Sequence, residues 1–361
     1  MGGVAGVPAD GFDEAEETLT AVLAEETVEL AAEGHRLALL RLVLRSRGTV
    51  ITLVALVLFA VFSLTTSTFL TSDNLFNILR NISFIGIVAT GMTFLLVAGE
   101  IDLSVGSVFG FLTVVMGVLV ARLGISPWPA LLLVIALGAL VGLVNGLIST
   151  RLAIPSFVVT LAGFTAYRSA ALLVSGPQPS AVEGAGLFYQ VTGGDIGAGL
   201  PWLVVWMAVV MLIGGVILAT TKFGYHVYAT GGSLEAARNS GIDTRRVKLI
   251  CFMLTSGLCG LVAALIFGYL HGAAPTTGTG FEFRVIGAVI VGGVALTGGR
   301  GSVYGSLMGA VIIGMITNGL VQLGYSQYYG DVATGVLIML AGALDLYTRF
   351  TAARSLHYLE G

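Results

Sequence analysis

Residues 36–70 read RLALLRLVLRSRGTVITLVALVLFAVFSLTTSTFL, in which four arginines precede an apolar run that carries no charge. At about 1.5 Å of rise per helical residue, the run from Thr49 to Leu70 is long enough to cross a hydrocarbon core of ~30 Å. Arginines beside a first membrane helix stay on the cytoplasmic side. The sequence therefore predicts an integral membrane protein whose residues 1–48, first acidic and then basic, are cytoplasmic. We expect no removable signal peptide.

The composition of the whole chain agrees with this interpretation. Apolar residues make up 56% of the 361 residues and charged residues 10%, whereas soluble domains average about 25% charged residues. The mean hydropathy is +0.96. The 51 glycines follow no Gly-x-y period, so they indicate closely packed and interrupted membrane helices. Cys251 and Cys259 lack metal-ligand spacing, and we expect both to be packing residues.

Ten apolar segments predict the membrane topology. They are residues 49–70, 75–98, 103–121, 128–150, 155–175, 201–220, 247–270, 284–297, 302–322 and 332–348. Ten spans put both termini in the cytoplasm and leave four of the 17 lysines and arginines at or near the outside, Arg80, Arg122, Arg168 and Arg284. The predicted fold class is an all-α, polytopic membrane helix bundle, with a transmembrane domain over residues 49–349 and a cytoplasmic tail over residues 350–361.

A short internal repeat relates residues 106–112, GSVFGFL, to residues 301–307, GSVYGSL. Five of the seven positions are identical, and a sixth exchanges one aromatic residue for another. An even number of predicted spans separates the copies, so both should run in the same direction, as in a parallel duplication. The alternative is chance similarity in a sequence rich in Gly, Ser and Val.

Residues 98–107, AGEIDLSVGS, place two acids between apolar runs. An Asp at the centre of a membrane helix costs ~2.5–3.5 kcal/mol on insertion scales, so it needs water, polar groups or free backbone beside it. A helix break supplies these, and Ser104 or Asp102 could cap the helix that follows. The candidate residues for this break and for the translocation path are Gly99, Glu100, Asp102, Ser104, Gly106 and Ser107. The alternative is an ordinary cytoplasmic turn with an acidic cap.

Residues 222–248, KFGYHVYATGGSLEAARNSGIDTRRVK, form the longest polar stretch between cytoplasmic ends of spans. Ser233 as N-cap, Glu235 in the first turn and Gly241 as a stop predict a short helix from about Leu234 to Ser240. Two turns are not stable alone, so the helix should lie on a cytoplasmic partner. The predicted contact residues are Ser233, Leu234, Glu235, Ala236, Ala237, Arg238 and Gly241. A plain loop is the alternative.

Residues 296–302, LTGGRGS, form a second glycine-rich break, with Gly298, Gly299, Arg300 and Gly301 as candidates for the path or the break. The segment lacks the GxxxxGK[ST] pattern of a phosphate-binding loop, and neither Lys222 nor Lys248 lies in one. We therefore expect no ATP hydrolysis by this chain. The two breaks, around Asp102 and Arg300, are predicted to be symmetry mates near the cytoplasmic end of the translocation path and to approach each other, so that the opposite charges help to neutralise one another.

These three motifs together resemble those of the permease subunits of bacterial ribose, xylose, arabinose and galactose type ABC importers. The residues that carry the resemblance, over about residues 50–350, are AGEIDLSVGS at 98–107, ATGGSLEAARNSGI at 229–242 and VGGVALTGGRGSVYG at 291–305. Two positions depart from the family pattern. Glu100 stands where the family usually has glycine, and Arg284 stands near a common acid, which leaves the exact solute open.

The resemblance implies a permease in the bacterial cytoplasmic (inner) membrane that moves a sugar or sugar-like solute. Its implied partners are lipid, a second permease copy or homologue, two cytoplasmic ATP-binding subunits that use ATP and Mg²⁺, and an extracytoplasmic solute-binding protein. This chain itself is expected to bind no cofactor, metal or nucleic acid. Arg80, Arg122 and Arg284 are predicted to face an acidic patch on the binding protein. The alternatives are an ion-coupled secondary transporter of a small polar solute, or an uncoupled channel or scaffold.

Overall fold

A computed structural model describes residues 47–175, 180–197 and 199–357. Most of the predicted cytoplasmic N-terminal segment and the last residues of the predicted tail lie outside these ranges. The chain separates into two compact units, Met1–Val50 and Ile51–Gly361. Of the first unit, the structure describes only the start of a helix at Arg47. The second unit holds both predicted breaks and the predicted cytoplasmic helix.

The described part of the chain is helical almost throughout, which confirms the predicted all-α class. The helices are α1 (Arg47–Thr65), α2 (Ser72–Val97), α3 (Val105–Gly117, continued by a π-helical turn, Val118–Arg122), α4 (Pro127–Arg151), α5 (Ser156–Ser175), α6 (Leu187–Gly193), α7 (Trp202–Thr220), α8 (Lys222–Gly232), α9 (Leu234–Asn239), α10 (Thr244–Leu270), α11 (Phe281–Val291), α12 (Val303–Gln322) and α13 (Gln327–His357). Two-residue strands form two antiparallel pairs, β1 (Ser180–Ala181) with β4 (Gly272–Ala273) and β2 (Asp195–Ile196) with β3 (Leu200–Pro201).

Nine helices in the described ranges are long and apolar enough to cross a membrane: α1, α2, α3 with its π-helical end, α4, α5, α7, α10, α12 and α13. The predicted eighth span, residues 284–297, contributes only the 11-residue helix α11. This helix rises about 16 Å, half of a hydrocarbon core. Gly293 ends it in the left-handed conformation, with φ of +84°. The predicted ten spans are thus nine full-length helices and one half-length helix, and the cytoplasmic location of both termini stays a prediction.

Helices α2 and α10 are both largely buried, and α10 packs against α2, α3 and α4. Glycines make the contact between α4 and α10 close. A Cβ on Gly142 would collide with the carbonyl oxygen of Phe252, and one on Gly260 would collide with that of Val134. The predicted use of glycine for close helix packing is confirmed here. Cys251 and Cys259 are free thiols and fully buried in the same region.

The peripheral helices leave long apolar side chains uncovered. Examples are Leu56 and Leu64 on α1 and Met339 and Leu344 on α13, each more than half exposed. Large exposed apolar surfaces mark contact with lipid or with another protein. Both helices therefore suit the outside of a bundle in a bilayer.

Candidate functional site

The first break separates α2 from α3 at residues 98–104. Asp102 is fully buried there, and its Oδ1 accepts hydrogen bonds from the Ser104 backbone N–H (2.8 Å) and the Ser104 hydroxyl (2.6 Å). Ser104 occupies the N-cap position of α3, as predicted, but its hydroxyl binds Asp102 instead of a helix amide. The backbone N–H of Leu103 donates to the Thr160 hydroxyl at 3.1 Å. Polar groups thus hold the irregular backbone inside the protein.

A polar network extends from Asp102 into the bundle. Asn145 Nδ2 donates to the Ser104 hydroxyl at 3.2 Å, and the Tyr167 hydroxyl donates to Asn145 Oδ1 at 2.9 Å. The second carboxylate oxygen of Asp102 has no hydrogen-bond partner among the described residues. Asp102 lies between the spans α2 and α3, and its burial raises the pKa of the carboxyl, which the bonds from Ser104 partly oppose.

The second break separates α11 from α12 at residues 292–302. Ser302 is the N-cap of α12, and its hydroxyl accepts a hydrogen bond from the Gly305 N–H at 3.0 Å. Arg300 is exposed. Gly298 and Gly299 both adopt positive φ, +85° and +75°, a conformation that residues with a Cβ rarely occupy. Glycine is therefore required here for the shape of the chain.

Glycines from three separate motifs meet at one place, which we call the glycine junction: Gly99, Gly231, Gly232, Gly298 and Gly299. The Gly299 N–H donates to the Val97 carbonyl at 2.8 Å and so ties the second break to the end of α2. A Cβ on Gly298 would lie 2.9 Å from the Gly99 Cα and 3.0 Å from the Gly231 Cα. The two breaks and the end of α8 therefore touch through bare backbone.

Tyr228 adds a side-chain contact between α8 and the second break. Its hydroxyl donates to the Gly301 carbonyl at 2.7 Å. Burial raises the pKa of this hydroxyl, which keeps it protonated and able to donate. The sequence offered no signal for this role, because a tyrosine in a polar loop has many possible partners.

The two breaks approach each other as predicted, but the charges of Asp102 and Arg300 do not pair. The two residues form no ion pair in the described structure, because Asp102 is sealed inside the bundle while Arg300 faces outward. The two breaks meet through the glycine junction instead. The ion pair of the first break joins Glu100 to Lys248 on α10, with 2.5 Å between Oε1 and Nζ. This partner explains how a charge is accommodated where a glycine would be usual.

The predicted short helix exists as α9. The Ser233 hydroxyl accepts from the Ala236 N–H at 3.3 Å, and Gly241 ends the helix with φ of +81°. Ala237 is buried, and Arg238 Nε donates to the Thr244 hydroxyl at 3.2 Å, so α9 is fixed to the start of α10. The other predicted contact residues, Leu234, Glu235 and Ala236, are exposed. Helix α8 was missed, although Thr221 caps it by accepting from the Gly224 N–H.

The repeat places its two copies differently relative to their helices. Gly106 lies inside α3, whereas Gly301 precedes the N-cap of α12. Ser107 donates to the Ser104 carbonyl at 2.8 Å, whereas Ser302 is itself a cap. The parallel duplication therefore stays a prediction.

Gly106 and Gly110 on α3 pack closely against the segment that leads into α11. A Cβ on Gly106 would collide with Glu282, and one on Gly110 would collide with the Thr277 carbonyl oxygen. From α5, Arg168 Nη1 donates to this same carbonyl at 2.9 Å. Glu282 is also buried. Sequence reasoning noticed Arg168 only as a cation near the outside and gave Glu282 no role.

The three arginines predicted to meet a binding protein already have contacts within the chain. Arg80 pairs with Asp195 at 2.8 Å, and Arg284 pairs with Asp331 at 2.9 Å. Arg122 donates to the carbonyls of Val174 and Ser175. The two ion pairs are partly exposed, so these contacts do not remove the side chains from the surface.

Comparison with known proteins places the chain among membrane permeases. The family model "Branched-chain amino acid transport system / permease component" matches residues 74–342. The ribose import permease protein of Bacillus subtilis is 36% identical over 290 residues, which cover 80% of this chain and 89% of that protein. The Escherichia coli K12 ribose import permease protein is 36% identical over 295 residues, covering 80% and 91%. The L-arabinose permease protein of Azospirillum brasilense is 34% identical over 305 residues, covering 83% and 87%.

No solved structure matches the chain significantly. The family match covers most of the chain and includes both breaks, the glycine junction and helix α9. The chain belongs to the family of branched-chain amino acid transport system permease components.

Proposed function

We propose that this chain is the membrane-spanning permease subunit of an ATP-binding cassette importer for a sugar or sugar-like solute in the bacterial cytoplasmic membrane. Relatives named as ribose and arabinose permeases support the solute class. The nine helices able to cross a membrane support the location. The chain supplies the path, and partner subunits hydrolyse ATP with Mg²⁺, so it needs no cofactor of its own.

The glycine junction is the observation that carries the coupling mechanism. Free energy from ATP must enter through a rigid cytoplasmic contact, because this chain has no phosphate-binding loop. Helix α9 presents Leu234 and Glu235 outward, while Ala237 and Arg238 fix it to the bundle. We infer that α9 sits in a groove of the ATP-binding subunit.

A displacement of α9 has a short route to both breaks. Ser233 alone separates α9 from α8, and α8 ends in Gly231 and Gly232 at the glycine junction. Tyr228 links the same helix to Gly301. Because the junction is backbone on backbone, a movement of α8 is transmitted without the slack of flexible side chains. The first and second breaks would therefore move together when the ATP-binding subunits close.

The remaining partners follow from the importer role. A second copy of this chain, or a homologous permease, pairs with it, and a solute-binding protein docks on the extracytoplasmic side. Arg80, Arg122 and Arg284 remain the proposed docking cations for an acidic patch. Reversing all three charges should weaken binding-protein association and flatten its salt dependence. Unchanged association and salt dependence would reject the docking role.

The coupling role is tested by a Glu235→Lys, Gly241→Val double variant. A β-branched residue at φ of +81° strains the stop of α9 by about 1 kcal/mol or more, and the lysine places a cation at the helix N-terminus. Neither residue belongs to the polar network of Asp102. We expect normal membrane insertion, lost uptake and no stimulation of ATP hydrolysis by loaded binding protein. Uptake and stimulated hydrolysis at the parental rate would show that α9 is not the coupling element.

A further inference from the structure

Helices α2, α3, α10, α11 and α12 line an open cavity of about 390 Å³, which we call the polar cavity. Its size is within the range of small-molecule sites, ~300–1,000 Å³. Val321 and Gln327, where α12 ends and α13 begins, line its open edge and are exposed. In the predicted topology this edge faces the extracytoplasmic side. A solute released there would reach the cavity directly.

Asn318 is one of the polar residues that line this cavity. Its Nδ2 donates to Asn74 Oδ1 at 2.9 Å, which fixes the orientation of the amide. Asn74 is held in turn by Gln322 Nε2 at 2.6 Å and by its own bond to the Phe69 carbonyl. The oxygen of Asn318 is buried and has no partner among the described residues. A buried acceptor without a partner is costly, and Asn318 lies in the cavity wall, so a ligand hydroxyl that reached this oxygen would satisfy it.

Other polar side chains in the cavity wall donate their hydrogen bonds to backbone carbonyls of the protein. The Thr317 hydroxyl donates to the Ile313 carbonyl at 2.8 Å, and the Thr279 hydroxyl donates to the Thr276 carbonyl at 2.7 Å. Asn81 Nδ2 donates to the Asn77 carbonyl at 3.1 Å. A hydroxyl or amide whose hydrogen is already bonded still has oxygen lone pairs that can accept a hydrogen bond. The lining therefore presents acceptors, which match a ligand with several hydroxyl donors.

Charge and shape narrow the ligand class further. Arg284 is the charged lining residue, and Asp331 neutralises it at 2.9 Å. Phe109 and Phe281 lie side by side in the wall, with ring centroids 4.9 Å apart. Apolar ring surface among a few fixed polar groups is the usual composition of a small-molecule pocket. A charged solute would meet no unpaired counter-charge here.

We infer that the polar cavity is a binding site within the permease for a single uncharged, hydroxyl-rich solute of monosaccharide size. This inference rests on the proposed function, because it assumes that a sugar is what passes through the chain. It adds a site in the permease itself, reached after release from the binding protein.

Thiol labelling tests the site on the full chain in lipid nanodiscs. A Val321→Cys variant puts a reactive thiol on the cavity edge, while native Cys251 and Cys259 are buried. D-Ribose and L-arabinose, at up to about 100 mM to allow for millimolar affinity, should slow its reaction with a membrane-impermeant maleimide, and ribose 5-phosphate should not. Leu323→Cys, which is exposed but outside the lining, should react at the same rate with or without sugar.

Second-site variants locate the effect. In the Val321→Cys background, Thr317→Val or Asn318→Ala should raise the half-protecting sugar concentration about 2- to 10-fold, since each removes a polar contact. Thr334→Val removes a similar hydroxyl, bonded to the Gly330 carbonyl outside this cavity, and should leave protection unchanged. If Asn318→Ala fails to fold, the half-protecting sugar concentration of Thr317→Val alone tests whether the sugar binds in the polar cavity.

Three results would overturn the inference: no protection by either neutral sugar, equal protection by ribose 5-phosphate, or an equal effect of Thr334→Val. Stimulation of ATP hydrolysis by loaded binding protein should be measured in parallel on the assembled importer. This measurement distinguishes failure of the polar-cavity site from failure of the proposed importer function. Stimulation without protection rejects only the polar cavity, and protection without stimulation rejects the importer function.

Discussion

Replacing Gly231 with alanine is the sharpest perturbation of the glycine junction. The new Cβ would collide with the Val97 carbonyl oxygen and would lie 2.7 Å from the Gly299 nitrogen and 2.9 Å from the Val97 carbonyl carbon. Ordinary contacts between such atoms are about 3.5 Å or longer. All of these atoms are backbone, so no side-chain rotation relieves the clash. Helix α8 and the two breaks must move apart.

The cost can be worked from the contacts that this separation breaks. The Gly299 N–H bond to Val97, 2.8 Å long, is the direct link between the breaks. Leaving such a buried group unpaired costs about 1–3 kcal/mol, and overpacking a filled interior costs about 1–3 kcal/mol. Alanine favours the helix by about 1 kcal/mol relative to glycine, which offsets part of this cost. The expected net loss of stability is about 1–5 kcal/mol.

Gly232→Ala is the matched control. It lies one residue further along α8, and its Cβ would meet no atom within 4 Å. It gains the same helix propensity without a clash, so its thermal midpoint in detergent should equal or exceed that of the parent. Gly231→Ala should lower the midpoint and abolish sugar-dependent stimulation of ATP hydrolysis. Equal midpoints and equal stimulation for the two variants would refute the role of the junction.

Three further changes test neighbouring contacts. Glu100→Gln and Lys248→Met should each destabilise the protein more than the double variant does, because each leaves one partly buried charge unpaired; additive thermal shifts would contradict this. Gly106→Ala should destabilise through its clash with Glu282, whereas Gly257→Ala, whose nearest contact is 3.7 Å, should not; equal thermal midpoints would argue against that packing. Ser233→Ala should cost α9 ~1 kcal/mol and speed amide exchange there; unchanged exchange would count against the cap.

Local signals predicted the short helix α9 well. Ser233 and Gly241 act through bonds and backbone angles within a few residues of themselves, so the sequence contains their whole environment. The apolar runs predicted the spanning helices for a related reason, since a helix satisfies its own backbone in lipid.

Contacts between distant segments were not predictable in the same way. The glycine junction joins residues near 99, 231 and 298. Sequence reasoning predicted that the breaks containing the first and the last of these approach each other, but it did not bring the Gly231 motif to them. It paired Asp102 with Arg300 because opposite charges attract, but a buried carboxylate can be held by neighbouring hydroxyl and amide groups. Glu100 pairs with Lys248 because the fold places α10 beside the first break, and the sequence does not reveal this placement.

The half-length helix shows how hydropathy misleads about length. Residues 284–297 read as one apolar segment, but Gly292 and Gly293 end α11 inside it. A hydropathy pattern reports that a segment is buried, and the protein interior buries an irregular backbone as readily as lipid buries a helix. The count of spans was therefore less secure than their location.

Uptake of labelled D-ribose and L-arabinose into proteoliposomes tests directly whether this chain is the permease subunit of an ATP-driven sugar importer. The vesicles would contain the full chain with its ATP-binding subunit, with the cognate binding protein on the substrate side. An ATP-driven importer should show uptake that requires ATP and loaded binding protein and that persists when ionophores collapse proton and sodium gradients. Uptake that needs no ATP and stops with the ionophores would contradict this function and identify an ion-coupled transporter.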